Sequence, residues 1–265
     1  MRLGAHLPTR DPLAIADRLG LDVLQIHLSS PRTWQHPLLR DDASELRQSE
    51  RVISVHAPYL CNPASPDPQV RRRTAAMLQA TLDAAATVGA GGVVVHAGSA
   101  GVGGSIDEAV ARWCDLLPRL RSTVPLWIEN TASGTASPGR HLDSVARLFA
   151  ALRDLPHAEV RIGACLDTAH AFVADAAAAG KPGEWVQRFA DATGGVDLVH
   201  VNDVNAPAGS GRDRHANLGA GAMGLPCLAE MIAAAGATGA VIETPGDDER
   251  RAQDVEILRY LVATG

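Results

Sequence analysis

Six short apolar runs of this sequence each end in a histidine or an acidic residue, side chains that bind metal ions and transfer protons. A buried strand gains nothing from an ionisable group at its tip unless that group has a partner there. The residues that end these runs are His56, His96, Glu129, Asp167, His200 and Glu243. The pattern indicates a site assembled from the ends of several strands.

Three further residues extend this set. His170 follows Asp167 by three positions, one helical turn, and Asp213 and His215 are two apart in a loop, so an extended segment would point both the same way. Four crowded carboxylates repel one another and are costly to desolvate, a cost that divalent cations remove. Imidazole and carboxylate without thiolate suit zinc, manganese or iron. These nine candidate ligands are more than one tetrahedral ion can bind. The sequence therefore predicts two or three ions that share a bridging carboxylate.

Strand and helix patterns alternate along the whole chain, and the strands are continuous apolar runs, as parallel strands buried on both faces should be. The predicted strands are 2–6, 22–28, 52–56, 92–96, 125–130, 160–167, 197–202 and 239–243. The predicted helices are 11–19, 38–49, 67–89, 105–121, 141–153, 168–192 (broken at 180–183), 223–235 and 247–263. We predict an α/β fold, a single (β/α)₈ TIM barrel over residues 1–265, in which all strand ends meet at one rim. A doubly wound sheet is disfavoured, because no glycine-rich phosphate turn follows the first strand.

The composition and the net charge limit the classes of function that the protein can have. The net charge of −6 argues against a basic nucleic-acid-binding surface, although three divalent ions would bring the chain to about zero. The four cysteines are widely spaced and predict reduced thiols rather than a disulfide framework. No apolar run is long enough to span a membrane, and the first residues have no signal-peptide layout, so we expect a cytoplasmic protein without membrane partners.

Eight motifs follow one another across nearly the full chain: GAHLP at 4–8, HAPYLCN at 56–62, VVVHAGS at 93–99, IENTA at 128–132, CLDTAHAF at 165–172, HVND at 200–203, GRDRHANLGAG at 211–221 and IETP at 242–245. In their residue types and in their order along the chain, these motifs resemble those of the endonuclease IV family of zinc-dependent apurinic/apyrimidinic endonucleases. The motifs IENTA, DTAH and DRHANLG are together highly specific.

The resemblance implies a TIM barrel with three Zn²⁺ ions per chain, with Mn²⁺ or Fe possible at one or more sites. The implied ligands are His56, His96 and Glu129 for the first ion; Glu129, Asp167, His200 and Glu243 for the second; and His170, Asp213 and His215 for the third. The implied activity is hydrolysis of the phosphodiester 5′ to an abasic site by hydroxide that the trinuclear site activates, which leaves a 3′-hydroxyl. Glu129 would be catalytic as well as bridging.

The resemblance also implies contacts with duplex DNA that contains abasic sites. Tyr59 and Arg32 match residues that insert at the flipped-out nucleotide, and Arg212 and Arg214 are expected to hold phosphate. The run of arginines at 71–73 is interpreted as a solvated helix face. Some positions depart from the family pattern, including Ala220, where an acidic residue is frequent. We expect a monomer.

Two other function classes remain open from the sequence. Metal-dependent sugar isomerases and epimerases, in the manner of xylose isomerase, also place histidine and carboxylates at strand ends, but they give no role to His170 or to the loop with Asp213 and His215. A non-catalytic DNA-binding scaffold is the third class. It would depend for affinity on the same metal ions that would make the protein an enzyme.

Overall fold

The predicted barrel is present in a computed structural model, which describes residues 1–156 and 159–264. In chain order the strands are β1 (Arg2–His6), β2 (Val23–Ile26), β3 (Val52–His56), β4 (Gly92–His96), β5 (Leu126–Glu129), β6 (Ile162–Asp167), β7 (Leu198–His200), β8 (Asp203–Val204), β9 (His215–Ala216) and β10 (Gly239–Ile242). All except β8 and β9 pair in parallel in a closed barrel, in the order β1-β10-β7-β6-β5-β4-β3-β2. The TIM-barrel prediction is confirmed.

Ten helices surround the barrel in the described part of the chain: α1 (Pro12–Leu19), α2 (Ala43–Gln48), α3 (Pro68–Thr87), α4 (Ile106–Leu116), α5 (Leu142–Arg153), α6 (Thr168–Ala174), α7 (Ala176–Gly180), α8 (Pro182–Thr193), α9 (Gly224–Ala235) and α10 (Asp248–Thr264). The helix predicted over 168–192 is three helices, because it also breaks at Asp175. That carboxylate accepts hydrogen bonds from the backbone N–H of Ala177 and from Nε1 of Trp185. Within the described residues, no helix has the length and apolar character needed to cross a membrane.

An apolar layer fills the inside of the barrel below the rim. It is formed by Val23, Val94, Trp127, Cys165, Leu198 and Val241. Glycine makes room for the indole, since a Cβ on Gly92 would lie 2.3 Å from the ring of Trp127. Residues two apart on a strand point to the same face. The next inward-facing positions of these six strands are therefore Gln25, His96, Glu129, Asp167, His200 and Glu243, so the polar site rests directly on this apolar layer.

The segment 202–224, predicted to be irregular, contains a small hairpin. Strands β8 and β9 pair antiparallel, with Val204 opposite His215. The buried carboxylate of Asp203 accepts hydrogen bonds from the backbone N–H groups of Gly219, Gly221 and Met223, at 3.0–3.1 Å. These bonds fix the loop and hold His215 at the rim of the barrel.

Candidate metal centre

The predicted ligands converge at the carboxyl ends of the strands and form three groups. The groups are His56, His96 and Glu129; Glu129, Asp167, His200 and Glu243; and Asp167, His170 and His215. Within each group, one ligand atom per residue lies within 4.8 Å of all the others. The register of the strands brings some of these residues together directly, since His96 is paired with Glu129 and Asp167 is paired with His200. Two carboxylates, Glu129 and Asp167, belong to two groups each, as bridging ligands would.

Asp213 adjoins the third group on its solvent-exposed side. Its carboxylate is 3.2 Å from Nε2 of His170 and 3.1 Å from Nε2 of His215. Its side chain is 43% exposed, whereas that of Asp167 is fully buried. The third group thus has one ligand anchored in the barrel and one acidic neighbour on the loop.

Glu129 lies at the centre of the cluster, with its carboxylate fully buried. Its Oε2 is 3.3 Å from Nε2 of His56 and 3.2 Å from Nε2 of His96, and its Oε1 is 3.0 Å from Nδ1 of His200. Burial alone would raise the pKa of Glu129, but the charges of His96 and His200 lower it well below its usual value. Glu129 is therefore an anion at neutral pH.

Two buried histidines have one ring nitrogen bonded to a backbone carbonyl. Nδ1 of His56 donates to the carbonyl of Ala57 at 2.7 Å, and Nδ1 of His170 donates to the carbonyl of Asn130 at 2.9 Å. A carbonyl can only accept, so these bonds place a proton on Nδ1 and leave Nε2 directed at the carboxylates. Metal-binding histidines are oriented in this way in proteins.

Two observations test whether these residues fit a metal ion. The buried Nε2 of His215 has carboxylate oxygens of Asp213 and Asp167 at 3.1 and 3.7 Å but no partner in hydrogen-bonding geometry among residues 1–156 and 159–264, a polar position that a metal ion would satisfy. Burial raises the pKa of the Cys165 thiol, below the cluster, to about 12, so no thiolate competes as a ligand. The donor set is imidazole and carboxylate, which suits zinc, manganese or iron. The residues fit divalent metal ions.

Sequence reasoning missed Gln25, a fully buried amide beneath the carboxylates. Its Nε2 donates to Oε1 of Glu243 at 2.6 Å, and its Oε1 accepts from Nε2 of His200 at 2.9 Å and from Oγ of Ser54 at 3.1 Å. This arrangement holds the proton of His200 on Nε2 and leaves Nδ1 facing Glu129. Gln25 follows the apolar Val23 by two residues, and that spacing was the signal that could have identified it.

We expect Gln25→Leu to weaken zinc binding by roughly 10- to 100-fold, because Gln25 orients both His200 and Glu243. The free energy of unfolding of the metal-free protein should fall by about 1–3 kcal/mol, since buried polar partners lose their hydrogen bonds. Competition with a chromophoric chelator measures the affinity. Gln187→Leu, on the exposed face of α8, is the matched control, and equal zinc affinity in the two variants would contradict this role.

His6 and His27 were also missed as residues of the rim. Nδ1 of His6 lies 3.2 Å from Oε1 of Glu243, and Nδ1 of His27 donates to the backbone carbonyl of His56 at 2.9 Å. Burial lowers the pKa of both imidazoles, that of His27 to about 3, so both are neutral at pH 7. Both histidines therefore belong to the hydrogen-bonded shell around the candidate metal ligands and add no charge to it.

An open cavity of about 470 Å³ lies above the ligands. It is lined by His6, His56, Tyr59, His96, His170, Asp213, His215, Glu243 and Thr244. The ring of Tyr59, which is 51% exposed, stacks 6.0 Å from that of His96. The cavity therefore gives a ligand from solvent access to all three groups, and Tyr59 stands at its edge.

The three predicted DNA-binding arginines lie in exposed loops. Arg32 is in the loop between β2 and α2, and Arg212 and Arg214 flank Asp213 in the loop between β8 and β9. None of the three forms an ion pair with another part of the described chain. Their guanidinium groups are free to contact an anionic ligand.

Comparison with known proteins agrees with this architecture. The family described as xylose isomerase-like TIM barrel matches residues 13–262. Proteins named probable endonuclease 4 from Mycobacterium ulcerans (strain Agy99) and Mycobacterium tuberculosis (strain CDC 1551 / Oshkosh) are each 42% identical over 259 residues, with 98% of both chains covered.

Solved structures show the same relationship. Endonuclease IV from Thermus thermophilus has a TM-score of 0.83 at 28% identity, with 100% of both chains covered. A D-tagatose 3-epimerase-like protein has a TM-score of 0.75 at 19% identity, which shows a shared fold alone. Because the match to the endonuclease 4 proteins extends over nearly the full length of both chains, this protein belongs to the endonuclease IV family of xylose isomerase-like TIM barrels.

Proposed function

We propose that this protein is a metal-dependent DNA repair endonuclease that hydrolyses the phosphodiester 5′ to an abasic site in duplex DNA and leaves a 3′-hydroxyl. The observation that carries the proposal is the sharing of Glu129 and Asp167 among three ligand groups beneath an open cavity. Relatives named probable endonuclease 4, 42% identical over the full length, support the same activity.

The three groups would hold three Zn²⁺ ions, with His170, Asp213 and His215 serving the third ion and Asp167 shared with the second. Divalent ions at such a site acidify water to give a nucleophile near neutral pH and polarise the phosphodiester. Four carboxylates and three divalent ions would leave a formal charge of about +2 facing the DNA backbone. This local charge explains how a chain of net charge −6 attracts a polyanion.

Glu129 acts as a fixed anion between the first two groups. Its lowered pKa keeps it ionised at neutral pH, so it accepts hydrogen bonds and does not donate them. Its carboxylate lies beneath the cavity and between the ligand groups, so it would hold the reacting water from below while the phosphate enters from the cavity.

Tyr59 and the loop arginines would contact the DNA. Burial raises the pKa of Tyr59 to about 12, with a further contribution from Glu243, so the phenol keeps its proton and can donate it in a hydrogen bond. Tyr59 and Arg32 would fill the gap left by the abasic nucleotide, and Arg212 and Arg214 would bind phosphates beside it.

A sugar isomerase or epimerase is the competing function, and its relatives share the fold. That function needs one or two metal ions and gives no role to the group formed by Asp167, His170 and His215. The exposed arginines around this group also favour a phosphodiester over an uncharged sugar.

The test combines elemental analysis with a nicking assay. We expect the purified protein to carry close to three transition-metal ions, one for each ligand group. It should nick a duplex with one synthetic abasic site on the 5′ side of that site and leave the undamaged duplex of the same sequence intact. At most one bound ion, together with no nicking after zinc is restored, would overturn the proposal.

A further inference from the structure

A groove lined by arginines lies outside the metal centre, between α3 and the end of α4. It encloses about 230 Å³ and its charged lining residues are Arg71, Arg72, Arg112, Arg119 and Asp115. We call it the arginine groove. Four of the 24 lysine and arginine residues face this one small cavity, although the net charge of the chain is −6.

Two of these arginines are built into the fold. Nη1 of Arg71 donates to the carbonyls of Ser65 and Pro66, at 2.8 and 2.9 Å, and Nη1 of Arg112 donates to the carbonyl of Ala64 at 3.0 Å. Both side chains are half-buried. A guanidinium has five donors in a planar fork, so the anchoring bonds leave donors of both groups for a ligand.

The other two arginines are exposed and have no acidic partner within the described part of the chain. Arg72 and Arg119 form no ion pair and no side-chain hydrogen bond with any residue in 1–156 or 159–264. Asp115 lines the groove without an ion pair within the same residues, and Glu108 pairs with Arg112 at 3.6 Å, so the arginines of the groove outnumber its acids. Repulsion among unpaired cations is relieved by an anion, and the guanidinium fork matches phosphate.

The loop between β3 and α3 joins the arginine groove to the metal centre. Tyr59, early in this loop, lines the cavity above the ligands, Asn62 lines the adjoining cavity, and Pro63 lines the groove. Four residues of chain span at most about 14 Å, so the edge of the groove lies within that distance of Tyr59. This upper limit corresponds to about four nucleotides of B-form rise along one strand.

A second contact links the same helix to the neighbouring loop of the rim, which follows β2. The guanidinium of Arg73 lies 5.9 Å from the ring centre of Trp34, in the loop that carries Arg32. The first turns of α3 therefore lie between that loop and the arginine groove. A nucleic-acid strand that leaves Tyr59 along this side would meet Arg72 and then Arg119.

We propose that the arginine groove is a second phosphate site, which binds the backbone of the substrate duplex about four nucleotides from the abasic site. The proposal rests on the proposed function, since the abasic nucleotide at Tyr59 sets the register of the strand. The groove supplies affinity that depends on duplex length and takes no part in bond cleavage.

The double variant Arg72→Glu/Arg119→Glu tests the proposal, because neither side chain has a partner whose loss would disturb the fold. The control is Arg2→Glu/Arg188→Glu, two exposed arginines on β1 and α8 with the same total change of charge. Binding of the metal-loaded protein is measured by fluorescence anisotropy with abasic duplexes that carry a non-hydrolysable linkage at the scissile position. The arms on each side of the abasic site are about two or about ten base pairs long.

For the long duplex, we expect the double variant to bind about tenfold more weakly than the control at low salt, with a salt slope smaller by about one to two. For the duplex shortened on the side that reaches the groove, the two proteins should bind equally. Single-turnover nicking at saturating enzyme should have the same rate in both.

Equal affinities and salt slopes of the two double variants on the long duplex would overturn the groove as a phosphate site. So would a loss of affinity that persists when the arm on the groove side is short, because that result indicates a general effect of charge. A wild-type protein that binds the duplexes but nicks none would overturn the proposed function, while the anisotropy data still decide the role of the groove.

Discussion

Glu129→Gln is expected to lower the rate of abasic-site cleavage by roughly 10³-fold or more, while the fold survives. The substitution keeps the size of the side chain and removes the one charge that four histidines share. Glu129 contacts His56, His96 and His200 as described, and its Oε1 also lies 3.4 Å from Nδ1 of His170. Loss of this anion removes a ligand from two of the three groups at once.

Metal content should fall selectively in this variant. The group of Asp167, His170 and His215 does not include Glu129, so we expect one ion to remain while the other two are lost or weakly held. Elemental analysis after dialysis measures the ions, and single-turnover nicking measures the cleavage rate. Circular dichroism and thermal unfolding of the metal-free protein check the fold.

The matched control is Glu256→Gln, in which an exposed glutamate of α10 with a 71% exposed side chain loses the same charge. It should nick at the wild-type rate and hold the full set of ions. Near-normal cleavage in Glu129→Gln would remove this residue from the mechanism, and unchanged metal content would show that it does not bridge.

Much of the fold was predictable because parallel barrel strands are buried on both faces and appear in the sequence as unbroken apolar runs. The ligands at the strand ends were predictable for the same reason, since an ionisable residue such as His56 or His200 interrupts the apolar pattern where the strand meets the rim. The fold and the six strand-end positions both follow from local sequence.

Gln25 and His6 escaped prediction for a physical reason. Gln25 lies inside the apolar run of β2 rather than at its end, and a neutral amide gives no charge signal. His6 ends the short β1, in which Gly4 occupies the position two residues earlier that an apolar side chain holds in other strands. A count of two residues from Val23 would have found Gln25, whereas β1 has no apolar residue at position 4 from which to count to His6.

The approach of Asp213 to His170, at 3.2 Å, could not be predicted from local sequence. It is set by the β8–β9 hairpin and by hydrogen bonds from distant backbone groups to Asp203, which connect residues up to 20 positions apart. Such contacts produce no periodic pattern in the sequence.

The break of the predicted helix at Asp175 likewise depends on a side-chain contact, the hydrogen bond that this residue accepts from Trp185.

Opposite pH trends are expected for the metal-free and the zinc-loaded protein. In the metal-free cluster, burial lowers the pKa of His215, but Asp167 and Asp213 outweigh burial and raise it to about 9. An unfolded histidine has a pKa near 6.5, so protonated His215 stabilises the fold fully below about pH 6.5. That stabilisation is lost as the pH rises to about 9, and it amounts to on the order of 3 kcal/mol.

Asp213, the acidic partner of His215, sets the lower end of the pH range in which the metal-free protein is most stable. Burial would raise the pKa of Asp213, but His170 and His215 lower it well below its usual value. A carboxylate with a lowered pKa stabilises the fold above about pH 4 and loses this effect as the pH falls. The metal-free protein should therefore be most stable between about pH 4 and 6.5.

Zinc reverses the upper part of this trend. Each histidine must lose a proton before it can bind an ion, so zinc affinity rises with pH and binding releases protons. Between pH 6.5 and 9 we expect the Tm of the metal-free protein to fall by about 6–10 °C, while that of the zinc-loaded protein rises. Scanning calorimetry at several pH values measures both, and titration of zinc into weakly buffered protein measures the released protons.

Two variants isolate the origin of the effect. His215→Asn should make the decline of the metal-free protein smaller, because it removes the group whose pKa is about 9 while His170 and His200, whose pKa values are also raised, remain. His36→Asn, at an exposed position of the loop that follows β2, should keep the wild-type trend. A metal-free Tm that stays constant or rises between pH 6.5 and 9 would mean that the carboxylates do not hold protonated histidines in the cluster. Since the same electrostatic attraction is what selects divalent cations here, that result would also weaken the case for a multinuclear site.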